Sequence, residues 1–130
     1  MQEVLEFLQK IKVFYLATDD NGQPRVRPMG VAEIYEGKLY IQTGKVKNVS
    51  KQIHKNNKVE ICGFDGERWL RIEGDLISDE RIEAKEYLLD KNPSLKRMYD
   101  AHDDNTEVLY FEHASATFSS FTEAPKTIKW

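Results

Sequence analysis

Turns centred on glycine constrain this chain most, because they join segments that have the composition of β-strands. Asp20-Asn21-Gly22, Glu36-Gly37-Lys38 and Asp65-Gly66 hold residues that tolerate the positive φ of a tight turn. The segments around them are rich in β-branched and aromatic residues, which is typical of strands. The predicted strands are residues 13–18, 25–35, 39–43, 59–64, 68–77, 107–111 and 115–121. The sequence therefore predicts a mainly antiparallel sheet.

Helical periodicity occurs only at the margins of these strands. An amphipathic opening helix is predicted by the apolar residues Val4, Leu5, Leu8 and Ile11. A second helix follows Gly44 and stops at Asn56-Asn57, and a third begins near Asp79-Glu80. Strands with helices at their margins predict a barrel, and 130 residues suit one domain, residues 1–130.

Composition excludes several functional classes. The net charge of −3 argues against a nucleic-acid binder. No apolar run approaches the roughly 20 residues that span a bilayer, and the amino terminus lacks a signal-peptide pattern, so we expect a cytoplasmic protein without a membrane partner. Cys62 is the only cysteine, which excludes an intramolecular disulfide, and its apolar strand predicts a buried, inert thiol. The three histidines have no paired spacing, so we expect no metal site.

The segment from Thr43 to Lys51 is the strongest candidate for a binding site. It combines a hydroxyl, a flexible glycine and three lysines where a strand gives way to a helix, and such helix starts bind phosphate. A solvated lysine-rich helix is an equally common use of such a pattern. The spacing does not match a P-loop, because Lys45 is followed by Val46 rather than Ser or Thr, and this excludes an NTPase.

Two strands add candidate residues. In the first, Arg25 and Arg27 share one face before Pro28 and Gly30 distort the strand, which suits a planar or phosphorylated ligand. A charged edge strand is the commoner use of that pattern. In the second, residues 69–74, Leu70 and Ile72 face one way while Trp69 faces the other, either toward a ligand or into a subunit interface.

Together and in this order, these stretches resemble the flavin-binding split-barrel family related to pyridoxamine 5′-phosphate oxidase, from about Val13 to Phe121. The resemblance implies a mainly β fold, an antiparallel split β-barrel of six to seven strands with flanking helices, and FMN bound between the subunits of a homodimer. It implies phosphate contacts from Thr43, Lys45, Lys47 and Asn48. Contacts along the flavin ring are implied for Arg25, Arg27, Pro28, Met29, Gln42 and Trp69.

The family's true oxidase carries a carboxy-terminal Arg and His pair for its phosphorylated substrate, and nothing after Phe111 reproduces that pair. The chain is therefore closer to the short members similar to nitroimidazole-resistance proteins. That likeness implies flavin-dependent reduction of a small molecule, with NAD(P)H as the electron donor. A non-catalytic module that holds flavin or haem for storage or sensing is the alternative, and no catalytic residue is assigned.

Overall fold

Three α-helices and eight β-strands make up the fold in a computed structural model that describes all 130 residues. The helices are α1 Gln2–Ile11, α2 Asn48–Lys55 and α3 Ile82–Lys91, with a short 3₁₀ helix at Pro93–Arg97. The strands are β1 Phe14–Asp20, β2 Gln23–Met29, β3 Ala32–Tyr35, β4 Lys38–Gly44, β5 Lys58–Phe64, β6 Arg68–Asp79, β7 Thr106–Ser120 and β8 Lys126–Lys129. None of the helices combines the length and the apolar character that crossing a membrane requires.

All strand pairs are antiparallel, in the order β2-β1-β5-β6-β7-β4-β3, with β8 added beside β7. The two outermost strands, β2 and β3, follow each other directly in the chain. The short connection at Gly30-Val31 therefore brings the ends of the sheet together. This confirms the predicted split-barrel fold with flanking helices, although it has eight strands rather than six or seven.

The predicted strand at residues 25–35 is two strands. β2 pairs with β1, and β3 pairs with β4, so the chain changes neighbour at Gly30. Pro28 and Gly30 had predicted only a bend. The hairpin turn at residues 21–22 pairs β2 with β1, and the hairpin turn at residues 36–37 pairs β3 with β4.

The predicted strands at residues 107–111 and 115–121 are one strand, β7, with a bulge between them. The pairing Glu73 with Ser115 is followed by Asp75 with Glu112, so β7 has one extra residue. His113 takes a φ of 50°, and a Cβ on Gly74 would lie 3.0 Å from the Ala114 Cβ. A bulge interrupts the hydrophobic alternation, which is why the sequence pattern suggested two strands. The final strand, β8, was not predicted.

The main core fills the barrel. α1 buries Val4, Leu5, Phe7 and Leu8, and α2 buries Val49 and Ile53. Gly63 lets α1 lie close to β5, since a Cβ there would collide with the Ile11 side chain. The prediction of a buried Cys62 is wrong: β5 alternates, so Val59 and Ile61 face the core while Cys62 is exposed on the other face.

A polar cluster joins β4, β6 and the start of α3. Tyr40 Oη donates to Asp79 Oδ2 at 2.7 Å, and Arg81 donates to the same carboxylate at 2.9 Å. Burial alone would raise the pKa of Asp79, but the hydrogen bonds from Arg81 and Tyr40 outweigh it and lower the pKa from 3.8 to about 2. The same burial and the Asp79 charge raise the pKa of Tyr40.

We predict that Asp79→Asn removes an acid-sensitive part of the stability. Because the folded-state pKa of Asp79 lies below its ordinary value, its contribution is present above about pH 4 and disappears toward about pH 2. At about 1.4 kcal/mol per pKa unit, the contribution is about 2 kcal/mol. Urea denaturation should show the variant less stable than the wild type at about pH 6, with the difference shrinking toward about pH 2.5. A difference that stays constant with pH would contradict this.

Candidate functional site

The arginines of β2 lie at the end of the barrel that α2 covers. Arg27 pairs with Leu16 and therefore shares the core-facing side of the sheet. Its Nη1 donates to the Leu16 carbonyl at 3.2 Å and to Thr18 Oγ1 at 2.7 Å, and its Nη2 donates to Gln52 Oε1 at 2.7 Å. A guanidinium has five N–H donors, so these bonds leave two for a ligand. These contacts hold the Arg27 side chain in place and leave N–H donors available to a ligand.

Helix α2 begins without a cap. No side chain bonds its first turn, which also contains no acidic residue. The first helical hydrogen bond runs from the Lys51 N–H to the Lys47 carbonyl, so the amides of Asn48, Val49 and Ser50 precede it. Free amides and the positive end of the helix dipole favour a nearby anion.

A cavity of about 560 Å³ lies between β2 and α2. Its lining is Asp20, Arg25, Val26, Arg27, Asn48, Lys51, Gln52 and Lys55. We call it the cationic cavity, because it contains four basic side chains and one carboxylate, and that carboxylate, Asp20, is paired with Arg25 at 3.2 Å. Partial burial and the neighbouring Arg25 charge lower the pKa of Arg27. An anion placed there would stabilise the charged guanidinium and so oppose both effects.

The cationic cavity brings together three of the predicted site residues, Arg25, Arg27 and Asn48. It also contains Lys51, which belongs to the predicted segment but was not named as a phosphate contact, and Gln52 and Lys55, which lie outside that segment. Their spacing in the sequence could have identified them, because residues 51 and 52 are each three or four positions from both 48 and 55, which places all four on one face of a helix. Pro28 and Met29 lie farther along β2, opposite Tyr15 and Phe14.

The remaining predicted phosphate residues, and the predicted ring contact Gln42, lie outside this cavity. Thr43 is buried in β4 opposite Glu107, and Gln42 is buried with its amide donating to the Thr43 carbonyl at 3.0 Å. Lys45 pairs with Glu80 at 2.9 Å, and that hydrogen bond raises its pKa. Lys47 is exposed at the residue that precedes α2. The structure thus separates the predicted cluster into two groups.

Trp69 lies on the outer face of the sheet, turned away from the core. Cross-strand pairs place it beside Phe64 and Ser119, and its ring centroid is 5.2 Å from that of Phe121. Tyr15, Val26, Phe64 and Phe121 are 51%, 68%, 58% and 90% exposed. We call Tyr15, Val26, Cys62, Phe64 and Trp69 the outer face; Val26 also lines the cationic cavity. An exposed aromatic surface of this kind is typical of interfaces.

A second cavity, of about 480 Å³, opens beside the outer face but has the opposite charge. Carboxylates line it, among them Asp19, Glu60, Glu73 and Asp75. Its basic groups are already engaged: Lys58 and His113 both contact Asp75, at 3.0 and 3.2 Å. A phosphate would be repelled there, so the cationic cavity is the better anion site.

A buried carboxylate supports the other side of α2, and the sequence reasoning did not identify it. Glu107 on β7 is fully buried and accepts hydrogen bonds from Ser50 Oγ at 2.6 Å and Ser78 Oγ at 2.9 Å. His54 Nε2 lies 2.6 Å from the same carboxylate. In the sequence, Glu107 follows a run of polar residues and resembles a solvated strand start. Its partners come from elements distant in the chain.

Comparison with known proteins agrees with this architecture. The family model described as pyridoxamine 5′-phosphate oxidase matches residues 1–121. A crystal structure of a NimC/NimA family protein from Clostridium acetobutylicum is similar with a TM-score of 0.96 and 44% identity, over 100% of this chain and 92% of that one. The similarity therefore extends over the strands and helices that form the cationic cavity.

More distant structures share the fold alone. General Stress Protein 26 from Bacillus anthracis has a TM-score of 0.79 and 19% identity, over 99% of this chain and 97% of that one. A haem-binding protein from Mycobacterium smegmatis has a TM-score of 0.69 and 15% identity, over 94% of this chain and 56% of that one. No curated protein matches the sequence.

Proposed function

Because the chain belongs to the pyridoxamine 5′-phosphate oxidase family, we propose that it is a flavoprotein that binds FMN with the flavin phosphate in the cationic cavity. The observation that carries the proposal is the convergence of Arg25, Arg27, Lys51 and Lys55 beside an uncapped helix start. A phosphate dianion suits such a site, since charge-assisted hydrogen bonds to it are strong and the amides add further donors.

The flavin ring is proposed to extend from the cavity along β2. Val26 is apolar, exposed and common to the cavity and the outer face, so a planar ring leaving the cavity over Val26 would lie on the outer face of β2 and β1, next to Tyr15. Trp69 stays a predicted ring contact, although β1 and β5 separate its strand from β2. Pro28 and Met29 continue the same strand and stay predicted ring contacts. The sequence-based predictions of contacts from Gln42, Thr43, Lys45 and Lys47 remain untested; none of these residues lines the cationic cavity, so the proposed phosphate position gives them no phosphate contact.

A homodimer is the second part of the proposal. The outer face exposes Tyr15, Phe64 and Trp69 around the polar Arg71–Glu60 pair at 3.0 Å, a mixture of aromatic and charged residues that suits a second copy of the chain. Pairing two outer faces would cover the ring while leaving each phosphate in its own cavity. This arrangement also gives Cys62 and Phe121 a packing partner.

The proposed activity is flavin-dependent reduction of a small molecule. When bound, FMN would supply the hydride chemistry between a donor such as NAD(P)H and a small-molecule acceptor. The residues of this chain bind the phosphate, orient the ring and exclude water from its face. The proposed substrate is a small molecule other than phosphorylated pyridoxine, as the likeness to the NimC/NimA family protein suggests. A cytoplasmic location stays a prediction.

We predict that Lys51→Met weakens FMN binding. Loss of one charge-assisted phosphate contact, about 1.4 kcal/mol, should raise the FMN dissociation constant about ten-fold, measured by quenching of flavin fluorescence. Lys47→Met is the matched variant, because Lys47 starts the same helix outside the cavity, and it should change the constant by less than about two-fold. A larger effect of Lys47→Met than of Lys51→Met on the FMN dissociation constant would indicate that the phosphate binds near Lys47 instead. No FMN binding by the wild type would end the proposal.

Anaerobic reduction separates an enzyme from a storage module. FMN-loaded protein mixed with NADH or NADPH should lose its visible flavin absorbance faster than free FMN does. Adding a nitroaromatic acceptor should restore the absorbance and yield the reduced acceptor. If FMN binds but neither step is accelerated, the protein is better described as a non-catalytic flavin module. Haem titration followed by its absorbance tests the other form of that alternative.

We predict that Phe64→Glu disrupts the dimer. A new charge in place of this exposed aromatic side chain would lose water when the two faces pair, so sedimentation should show a dimer for the wild type and a monomer for the variant. Met98→Glu is the control, since Met98 is 72% exposed but lies outside the outer face, and it should leave the dimer intact. A monomeric wild type, or a dimeric Phe64→Glu variant, would contradict the proposed interface.

A further inference from the structure

Helix α2 stands between two sets of polar contacts. Toward β1 and β2, Gln52 Oε1 accepts hydrogen bonds from Thr18 at 2.6 Å and from Arg27 at 2.7 Å. Toward β7, Ser50 and His54 both contact Glu107, at 2.6 Å each. Ser50 and His54 are four residues apart and therefore lie on one face of the helix. These contacts determine how the helix is rotated about its axis.

The buried Glu107 carboxylate is an energetically unfavourable group with which to hold α2 in place. Burying a charge is unfavourable unless hydrogen bonds compensate it, and an apolar side chain of similar size is often at least as stabilising in such a place. Glu107 is fully buried, and its three hydrogen-bond donors come from α2 and β6. A hydrogen-bonded carboxylate is directional, whereas apolar packing tolerates small rotations. Glu107 therefore contributes to the orientation of α2 rather than to the hydrophobic stabilisation of the fold.

The orientation matters because the cavity lysines are the immediate neighbours of the anchoring residues. Lys51 follows Ser50, and Lys55 follows His54. Adjacent residues of an α-helix point about 100° apart, so fixing one pair fixes where the other points. When Ser50 and His54 face Glu107, Asn48, Lys51 and Lys55 face the cationic cavity.

We propose that Glu107 is a positioning residue for anion binding: through Ser50 and His54 it fixes the rotation of α2 that directs Lys51 and Lys55 into the cationic cavity. This inference rests on the proposed function, since it takes the flavin phosphate as the anion. Glu107 does not touch the phosphate itself. Its effect is confined to the phosphate end of the ligand, because the helix carries no residue of the outer face.

The test compares FMN with riboflavin, which has the same ring and no phosphate. Glu107→Gln keeps the side-chain shape but cannot accept from all its donors, so the FMN dissociation constant should rise about ten-fold. The riboflavin constant should change by less than about two-fold. Asp79→Asn is the matched control, a second buried carboxylate away from α2, and it should alter stability without altering the FMN-to-riboflavin ratio.

Conservative variants keep the test decisive if Glu107→Gln fails to fold. His54→Gln retains a side-chain N–H for Glu107 and should keep the wild-type ratio, whereas His54→Ala should lower FMN affinity selectively. An equal loss for FMN and riboflavin, or no loss in either His54→Ala or Glu107→Gln, would overturn the positioning role. If Lys51→Met leaves FMN affinity unchanged while the wild type binds FMN, the phosphate lies elsewhere and the proposed site fails instead.

Discussion

The pairing of β6 with β7 holds the molecule together. These are the longest strands, with 12 and 15 residues, and their ladder runs from Arg68–Ser120 to Asp79–Val108. On the other edge of β6 the order continues with β5 and then β1, and on the other edge of β7 it continues with β4 and then β3. The two walls of the cationic cavity therefore come from opposite sides of this ladder, because β2 belongs to the β6 side and α2 follows β4 on the β7 side. α2 spans the distance between the two sides, contacting β1 and β2 on one side and β7 on the other.

Polar contacts, rather than apolar packing alone, set the geometry of that end of the barrel. Val49 and Ile53 bury α2 against the core, which supplies most of the favourable free energy. Apolar packing of so short a helix leaves its rotation weakly determined. The hydrogen bonds to Gln52, Ser50 and His54 remove that freedom. The cluster of Tyr40, Asp79 and Arg81 has a comparable role for α3, tying its start to β4.

The fold was predictable from the sequence because its signals are local. Asn21-Gly22 and Asp65-Gly66 each determine a hairpin within a few residues, and alternation correctly separated Leu70 and Ile72 from Trp69. The site was less predictable because it depends on the rotation of α2. The lysine-rich segment was recognised, but the choice of Lys51 and Lys55 over Lys45 depends on partners such as Glu80 and Glu107. Cys62 was also predicted wrongly, because the apolar residues around it in the sequence do not show which face of β5 it occupies.

The bulge at residues 112–114 decides which side of β7 carries the carboxylate. Beyond the bulge the core-facing residues are even-numbered, Ala114, Ala116 and Phe118, and before it they are odd-numbered, Glu107, Leu109 and Phe111. Because side chains alternate along a strand, removing one residue here would exchange the two faces, placing Val108 under α2 and Glu107 under α3. One extra residue, on a different strand from any residue of the cationic cavity, thus determines which face each side chain of the preceding part of β7 occupies.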